Sequence, residues 1–503
     1  MSRGGQTDRT RSEGLAKAVV WVLLCLGVVL RLRAYFFDRS LWLDEAFLAL
    51  NIMARSFAML MGPLDFTQVA PIGFLFAERV AVNLVGTSEY ALRLFPLLSG
   101  IASLFLFWKV AERVLSRGAT VVAVALFAVA DRLVYYSSET KQYSTDVAVG
   151  LLVWWVVAKS ETPGGAAHPR RGWVTAAVGA LAIWFSHPVV FILAGVGLRW
   201  VWVQVKGKEW GALGISAVTG AMWIASFAGT YAMSLRSASQ NPMLREFWGE
   251  AAAPLLPRSF EDLKWYVGAL GRIAALPLGK EVAEVVALAA ILGGVVIFLT
   301  GRDYFFRIVI PGILALAASG LQKYPLANRL WLFIIPGLLI LVAAGMSALW
   351  TKTRAAWPLV GVVFGGLLFA HPALYAAYHL VRPQQVEETR PLLRYIQQER
   401  RRGDTLYLYY MAGPAAQYYA DRGLIQLDDV MVGVFAREDL GAYVKSLDAL
   451  RGKGRVWLLF SHVNVERGLD EEELAVLHLD AMATRLTERR TEGAAVYLYD
   501  LGR

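Results

Sequence analysis

Long apolar runs recur from about residue 15 to about residue 380, each near the length that crosses a hydrocarbon core, and short basic or Gly/Pro-rich breaks separate them. The pattern predicts about eleven membrane crossings, near residues 15–36, 88–110, 119–135, 146–158, 173–186, 188–205, 211–231, 281–300, 304–321, 329–350 and 356–379. The stretch from Pro71 to Val85 is shorter and carries Glu78, Arg79 and Asn83, so it reads as an interfacial helix. After Arg382 the character changes. A charged helical run at 387–402 is followed by an alternating strand, Thr405–Tyr410, a helix at 414–422, strands at 424–428, 455–461 and 494–499, and an amphipathic helix at 470–490 between the last two strands. The expected fold is an α-helical polytopic membrane domain, residues 1–381, joined to a small C-terminal soluble α/β domain, residues 382–503.

Charge orients this chain. Arg3, Arg9, Arg11 and Lys17 precede the first run, and further cations fall at Arg113 and Arg117, Arg170 and Arg171, Lys206 and Lys208, Arg302 and Arg307, and Lys352 and Arg354. Positive residues on alternate turns place those turns and the N-terminus in the cytoplasm. The loops 38–87 and 232–280, the turns 131–145 and 322–328, and the tail then face the other side, as expected of an inner-membrane protein of a bacterial cell. The first run shows no convincing small-residue cleavage signal, so it reads as a retained helix.

Composition adds several exclusions. The 503 residues are 57% hydrophobic and 18% charged, outside the range of ordinary soluble proteins. The net charge of +10 is spread over the ends of apolar runs, which argues for membrane topology and lipid phosphate and against nucleic acid. The single cysteine, Cys25, excludes a disulfide framework and a cysteine-based zinc site.

The unusual chemistry gathers on the outer side. Ser40-Leu41-Trp42-Leu43-Asp44-Glu45-Ala46 places two adjacent acids after the first crossing; they are either the acidic first turn of an interfacial helix or working groups. Tyr135 to Asp146 sets Glu139, Lys141 and Asp146 among three tyrosines where a span begins, which suits a cavity wall or an aromatic belt. Gln322-Lys323-Tyr324-Pro325-Leu326-Ala327-Asn328-Arg329 is a basic turn on the side where cations should be few, and Arg31 and Arg33 also sit at an outer end. Such cations point to an anionic partner, with phosphate the natural candidate. Sugar transfer from a polyprenyl phosphate needs a base for the acceptor hydroxyl and cations for the departing phosphate. Asp44 fits the base, with Glu45 alternate or positioning, and Arg329, Lys323, Lys141 and Arg93 fit the phosphate.

At Arg31, Leu41 to Ala46, Pro71, Arg93, Tyr135 to Tyr143 and Arg329 the chain resembles the GT-C superfamily of integral-membrane glycosyltransferases. It is most similar to the group of protein O-mannosyltransferases and lipid A aminoarabinose transferases. The resemblance covers roughly residues 15–350. It implies an inverting transferase using a polyprenyl-phosphate sugar, with a protein, lipid or glycan acceptor. By the same resemblance the essential first-loop acid falls on Asp44 and its neighbour on Glu45, and a Gln/Asn-x-x-Pro segment falls on Gln68 and Pro71. An arginine after the interfacial helix falls on Arg93, and a late Tyr-Pro-to-Arg turn on Tyr324, Pro325 and Arg329. Gln68, Glu139, Tyr143 and Asp146 are then substrate-binding candidates, and Tyr324 joins the phosphate group. The chain departs from the family in having Ala70-Pro71 where a Pro-Pro pair is usual, and in its Ser-Glu-Thr-Lys-Gln-Tyr outer turn.

No metal site is expected from spacing, although a divalent cation is possible because some members of the family use one. Asp44, Glu45, Glu139, Asp146 and His187 are the outer-side donors, with no tight His/Asp spacing. Two rival readings are a transporter or flippase, which would use the same charges along a pathway, and a scaffold whose Tyr407–Tyr410 and Tyr418-Tyr419 segments bind a partner.

Overall fold

A computed structural model describes residues 4–161, 169–249, 251–436, 439–463, 465, 466 and 468–502, without the side chains of 4–12, 169–171, 328, 466 and 469. Arg3 and the side chains of Arg9, Arg11, Arg170 and Arg171, used above for orientation, therefore lie outside the described residues. The chain forms two compact units. One comprises Met1–Phe36, Phe57–Ala81 and Arg93–Pro383, the other Phe37–Ser56, Val82–Leu92 and Gln384–Arg503.

The first unit is helical, and the expected apolar runs fall on its helices, except that the run at 88–110 begins in the short Glu89–Leu92 helix of the second unit. Eight helices among the described residues are long and apolar enough to cross a membrane, and the pair Arg117–Val129 and Asp131–Ser138, bent by 56°, makes nine if it is counted as one span. The remaining two runs fall short of that standard for visible reasons. Gly172–Phe185 is short, and the first turn of Tyr143–Ser160 is diluted by Ser144, Thr145 and Asp146. The expected outer loop 232–280 begins later than the pattern suggested, because the Trp210–Thr230 helix continues through a π turn at Tyr231–Leu235 to Gln240. Ile72–Val85 is a 14-residue helix outside the spanning set. The closest helix packing joins Ala283–Thr300 to Ile335–Thr353, where a Cβ on Gly293 would meet the Leu341 carbonyl and one on Gly345 the Ala289 carbonyl. Small residues let two backbones approach in this way where lipid offers no hydrophobic drive. These spans make the chain an integral membrane protein.

The second unit is built on a five-stranded sheet. Strands β1 (Thr405–Leu408), β2 (Val430–Val432) and β3 (Arg455–Ser461) run parallel. A two-residue ribbon, β4 (Val465–Glu466) and β5 (Leu469–Asp470), precedes the last two strands, β6 (Thr484–Thr491) and β7 (Ala494–Asp500). The order is β2-β1-β3-β7-β6, with β7 antiparallel to both neighbours. Helices Gly413–Asp421 and Leu440–Asp448 make the parallel crossovers, as parallel strands require.

Two expected elements of this unit are corrected. The strand at 424–428 lies instead at Val430–Val432, because Leu424 N–H closes the preceding helix on the Tyr419 carbonyl at 2.9 Å and pairing with β1 starts at Val430. The helix expected within 470–490 stops at Asp480, and Thr484–Thr491 is an edge strand. Its Arg and Glu residues favour a helix locally, but they also suit an exposed edge, where charge deters further pairing. The β6–β7 turn contains Gly493 at φ +64°, and a Cβ there would meet the Val386 carbonyl. That turn is tied to the chain before the Thr389–Glu399 helix by Glu388 N–H donating to Glu492 O at 2.8 Å and Thr491 Oγ donating to Glu388 O at 2.8 Å. Tyr407, Tyr409, Tyr418 and Tyr419 are buried, as core rather than surface.

Candidate active site

In the membrane unit the polar segment 135–146 is buried without interruption. Its backbone is fixed by local bonds that compete with helix formation. Ser137 Oγ donates to Val134 O at 2.6 Å and Ser138 Oγ to Tyr135 O at 3.2 Å, while Lys141 N–H reaches Glu139 O at 2.7 Å. The chain therefore makes a 3₁₀ turn at Tyr136–Ser138 and an irregular passage before the Tyr143–Ser160 helix begins. Tyr136 packs edge-on to both Tyr135 and Tyr143, with centroids 5.0 and 5.1 Å apart.

Several expected site residues meet here. Lys141 Nζ donates to Gln68 Oε1 at 2.6 Å. The Arg329 guanidinium lies over the Tyr143 ring, 5.9 Å from its centroid. Asp146 is buried on the first turn of the same helix, and Ser99 and Thr145 are linked by a hydrogen bond of 3.1 Å beside it. Tyr324 donates to Leu330 O at 2.5 Å and packs against Phe191, and its phenol is held well above the ordinary value by burial, with Asp146 and Tyr143 adding repulsion. It is a neutral hydroxyl donor. A small crevice lined by Arg272, Leu276, Leu326 and Trp331 among others lies beside this turn.

Other expected residues stand differently. Lys323 is exposed. Arg93 is buried where the Leu94–Val114 helix begins. Arg31 is fully buried, and its Nη1 donates to Gly27 O at 2.9 Å and Ala128 O at 3.4 Å. Burial lowers the His187 imidazole to about 4, so it is neutral at physiological pH. Among the described residues no group of three or more His, Cys, Asp or Glu could hold a metal ion.

Asp44 and Glu45 lie in the second unit, in the first turn of the Leu43–Ala54 helix. Glu45 is fully buried and Asp44 half-buried. The segment leading to them is anchored by residues the sequence reading passed over as a charged helical run. Glu388 accepts from Ser40 N–H at 3.2 Å and Ser40 Oγ at 2.8 Å. Leu41 N–H donates to Tyr419 Oη at 3.0 Å, and Leu43 N–H donates to Glu387 Oε2 at 3.0 Å. The other Glu387 oxygen meets His462 Nδ1 at 2.6 Å. Arg390 pairs with Asp38 at 2.7 Å and with Glu89 at 2.8 Å, and Arg422 pairs with Glu89 as well. The one sequence signal for this role was two adjacent acids, Glu387-Glu388, at a boundary where the chain leaves its last apolar run.

A helical membrane unit with a small α/β domain is a fold this chain shares with solved transferases. The apo structure of ArnT, a lipid A aminoarabinose transferase, from Cupriavidus metallidurans superposes with a TM-score of 0.56 at 14% identity, over 98% of each chain. The same protein bound to undecaprenyl phosphate gives 0.54 at 13%, over 97% of this chain and 98% of that one. The apo oligosaccharyltransferase of Archaeoglobus fulgidus gives 0.51 at 11%, over 89% of this chain and 69% of the other. No protein-family model and no curated protein sequence matches the chain. The likeness is one of fold.

Proposed function

We propose that the protein is an inverting glycosyltransferase that moves a sugar from a polyprenyl-phosphate donor to an acceptor hydroxyl on the extracytoplasmic face of the membrane. The observation that carries this reading is that Lys141, bonded to Gln68, and Tyr143, under the Arg329 guanidinium, lie two residues apart on one buried polar segment of the membrane unit. Cations gathered along a polar segment of a membrane unit are suited to bind an anion that arrives from the lipid phase. The fold shared with a transferase whose structure contains undecaprenyl phosphate supports the same donor class.

In the reaction Asp44 accepts the proton of the acceptor hydroxyl as that oxygen bonds to the anomeric carbon. The bond from that carbon to the phosphate oxygen breaks, and its electron pair leaves with the polyprenyl phosphate. Arg329 and Lys141 stabilise the charge that grows there, with Arg93 and Lys323 as further phosphate contacts. A phosphate leaving group needs no general acid. One displacement inverts the anomeric centre. Glu45 positions Asp44, and Gln68, Glu139, Tyr143 and Asp146 contact substrate.

The test is transfer of radiolabelled sugar from a panel of polyprenyl-phosphate sugars by the purified protein in lipid. Label moved to an acceptor by the wild type and not by Asp44→Asn sustains the reading. Movement of the intact labelled lipid between leaflets with no transfer replaces it with a flippase.

A further inference from the structure

The helix that carries Asp44 and Glu45 starts in an unusual way. The first backbone N–H groups of a helix need acceptors, normally a Ser, Thr, Asp or Asn side chain immediately before it. Here that position is Trp42, which makes no side-chain cap. The acceptor comes from far along the chain: Glu387 Oε2 takes the Leu43 N–H at 3.0 Å. A carboxylate is well suited to the positive end of a helix, but Asp44 and Glu45 already place two acids in the same turn. His462 holds this third acid in place, with Nδ1 at 2.6 Å from the other Glu387 oxygen and its ring against Trp42, centroids 6.1 Å apart. His462 directly follows β3 with φ +53°, a conformation disfavoured for a residue with a side chain. The backbone is turned so that the imidazole reaches Glu387.

We propose that Glu387 and His462 form a positioning clasp that fixes the start of the Leu43–Ala54 helix and so holds Asp44 in its reactive orientation. The proposal rests on the assignment of Asp44 as base. Neither residue touches the reacting atoms; both act through the main chain at Leu43. The clasp also gives the C-terminal domain a part in the reaction, because both of its members belong to that domain.

The experiment uses the full-length protein in lipid with Glu387→Ala, Glu387→Asp and His462→Gln. Steady-state constants are measured with the donor the wild type uses, and amide hydrogen exchange is followed over residues 41–50 and over β3. The expected result for Glu387→Ala is a fall of about tenfold or more in kcat with donor KM changed by less than about twofold. Exchange at Leu43 to Ala46 rises about tenfold while β3 keeps its protection. Glu387→Asp restores part of the kcat, and His462→Gln, at a half-exposed site, lies between wild type and Glu387→Ala. Unchanged exchange over 43–46 in both Glu387→Ala and His462→Gln overturns the clasp. A rise in KM alone, or equal loss with Glu387→Asp, overturns its role in orienting the base. If the wild type transfers no sugar, the proposed function fails separately, and the clasp stands or falls on the exchange result.

Discussion

Several buried acids of the two units are met in different ways. In the sheet-bearing unit Glu89 is matched by Arg390 and Arg422, Asp404 by Arg455 and the Trp457 indole, Glu471 by the hydroxyls of Tyr409 and Tyr410, and Glu387 by His462 and a backbone N–H; in the membrane unit Glu161 is matched likewise by Arg307 and the Trp200 indole. In the membrane unit both Glu78 oxygens and Asp146 Oδ1 are buried with no protein hydrogen-bond partner among the described residues. Burial pushes the Glu78 carboxyl well above its ordinary value, so this acid is held protonated. Matched acids hold a scaffold in one arrangement. Unmatched ones are tolerated only as neutral groups or where a substrate supplies what the chain does not.

Substitutions that cross this divide should separate the two kinds of acid. The largest effect is expected for Asp44→Asn, with kcat in sugar transfer falling about 10²–10⁴-fold and thermal unfolding unchanged, because only the proton acceptor is lost. Arg329→Ala should act on the donor side, raising donor KM about tenfold or more, the order expected for a lost charge-assisted phosphate contact. Titration with unlabelled polyprenyl phosphate as a competitor checks it. Glu89→Gln should cost about 2–3 kcal/mol in unfolding of the purified protein, since two partly exposed arginines lose their shared carboxylate. Transfer per folded molecule should stay near wild type. Glu78→Gln is expected to be the mildest, within about 1 kcal/mol, because an amide replaces an acid that is already uncharged. Its pH signature has a definite sign. An acid whose folded value is raised binds its proton more tightly folded than unfolded, so stability falls as pH rises through the window above the unfolded value. The Gln variant should lose that slope, and an equal slope in both proteins would break the comparison.

Much of the architecture was legible because membrane spans write themselves in composition. Every expected apolar run is helical, and two fall short as spans, Gly172–Phe185 by its length and Tyr143–Ser160 where Ser144, Thr145 and Asp146 dilute its first turn. The late basic turn and the polar segment at 135–146 were also visible, since ionisable residues at a span boundary stand out against their surroundings. What stayed hidden was long-range. Nothing local says that Leu43 N–H, rather than a side chain at Trp42, is capped by Glu387, 344 positions away. Nor does local propensity show that Thr484–Thr491 abandons helix for an edge strand, because that choice is made by β7. The sequence also offers no sign that residues 37–56 and 82–92 form one compact unit with the tail. Such partnerships arise from tertiary pairing, which overrides the preferences of short segments.

The tight β6–β7 turn has a genetic consequence. Gly493 lies against the main chain at Val386, immediately before the two acids that anchor the segment leading to Asp44. Any side chain introduced there must push that backbone aside, in addition to straining a turn with φ +64°. In a random mutagenesis screen for lost activity, Gly493 would therefore score beside Asp44 itself, although it lies 449 positions further along the chain.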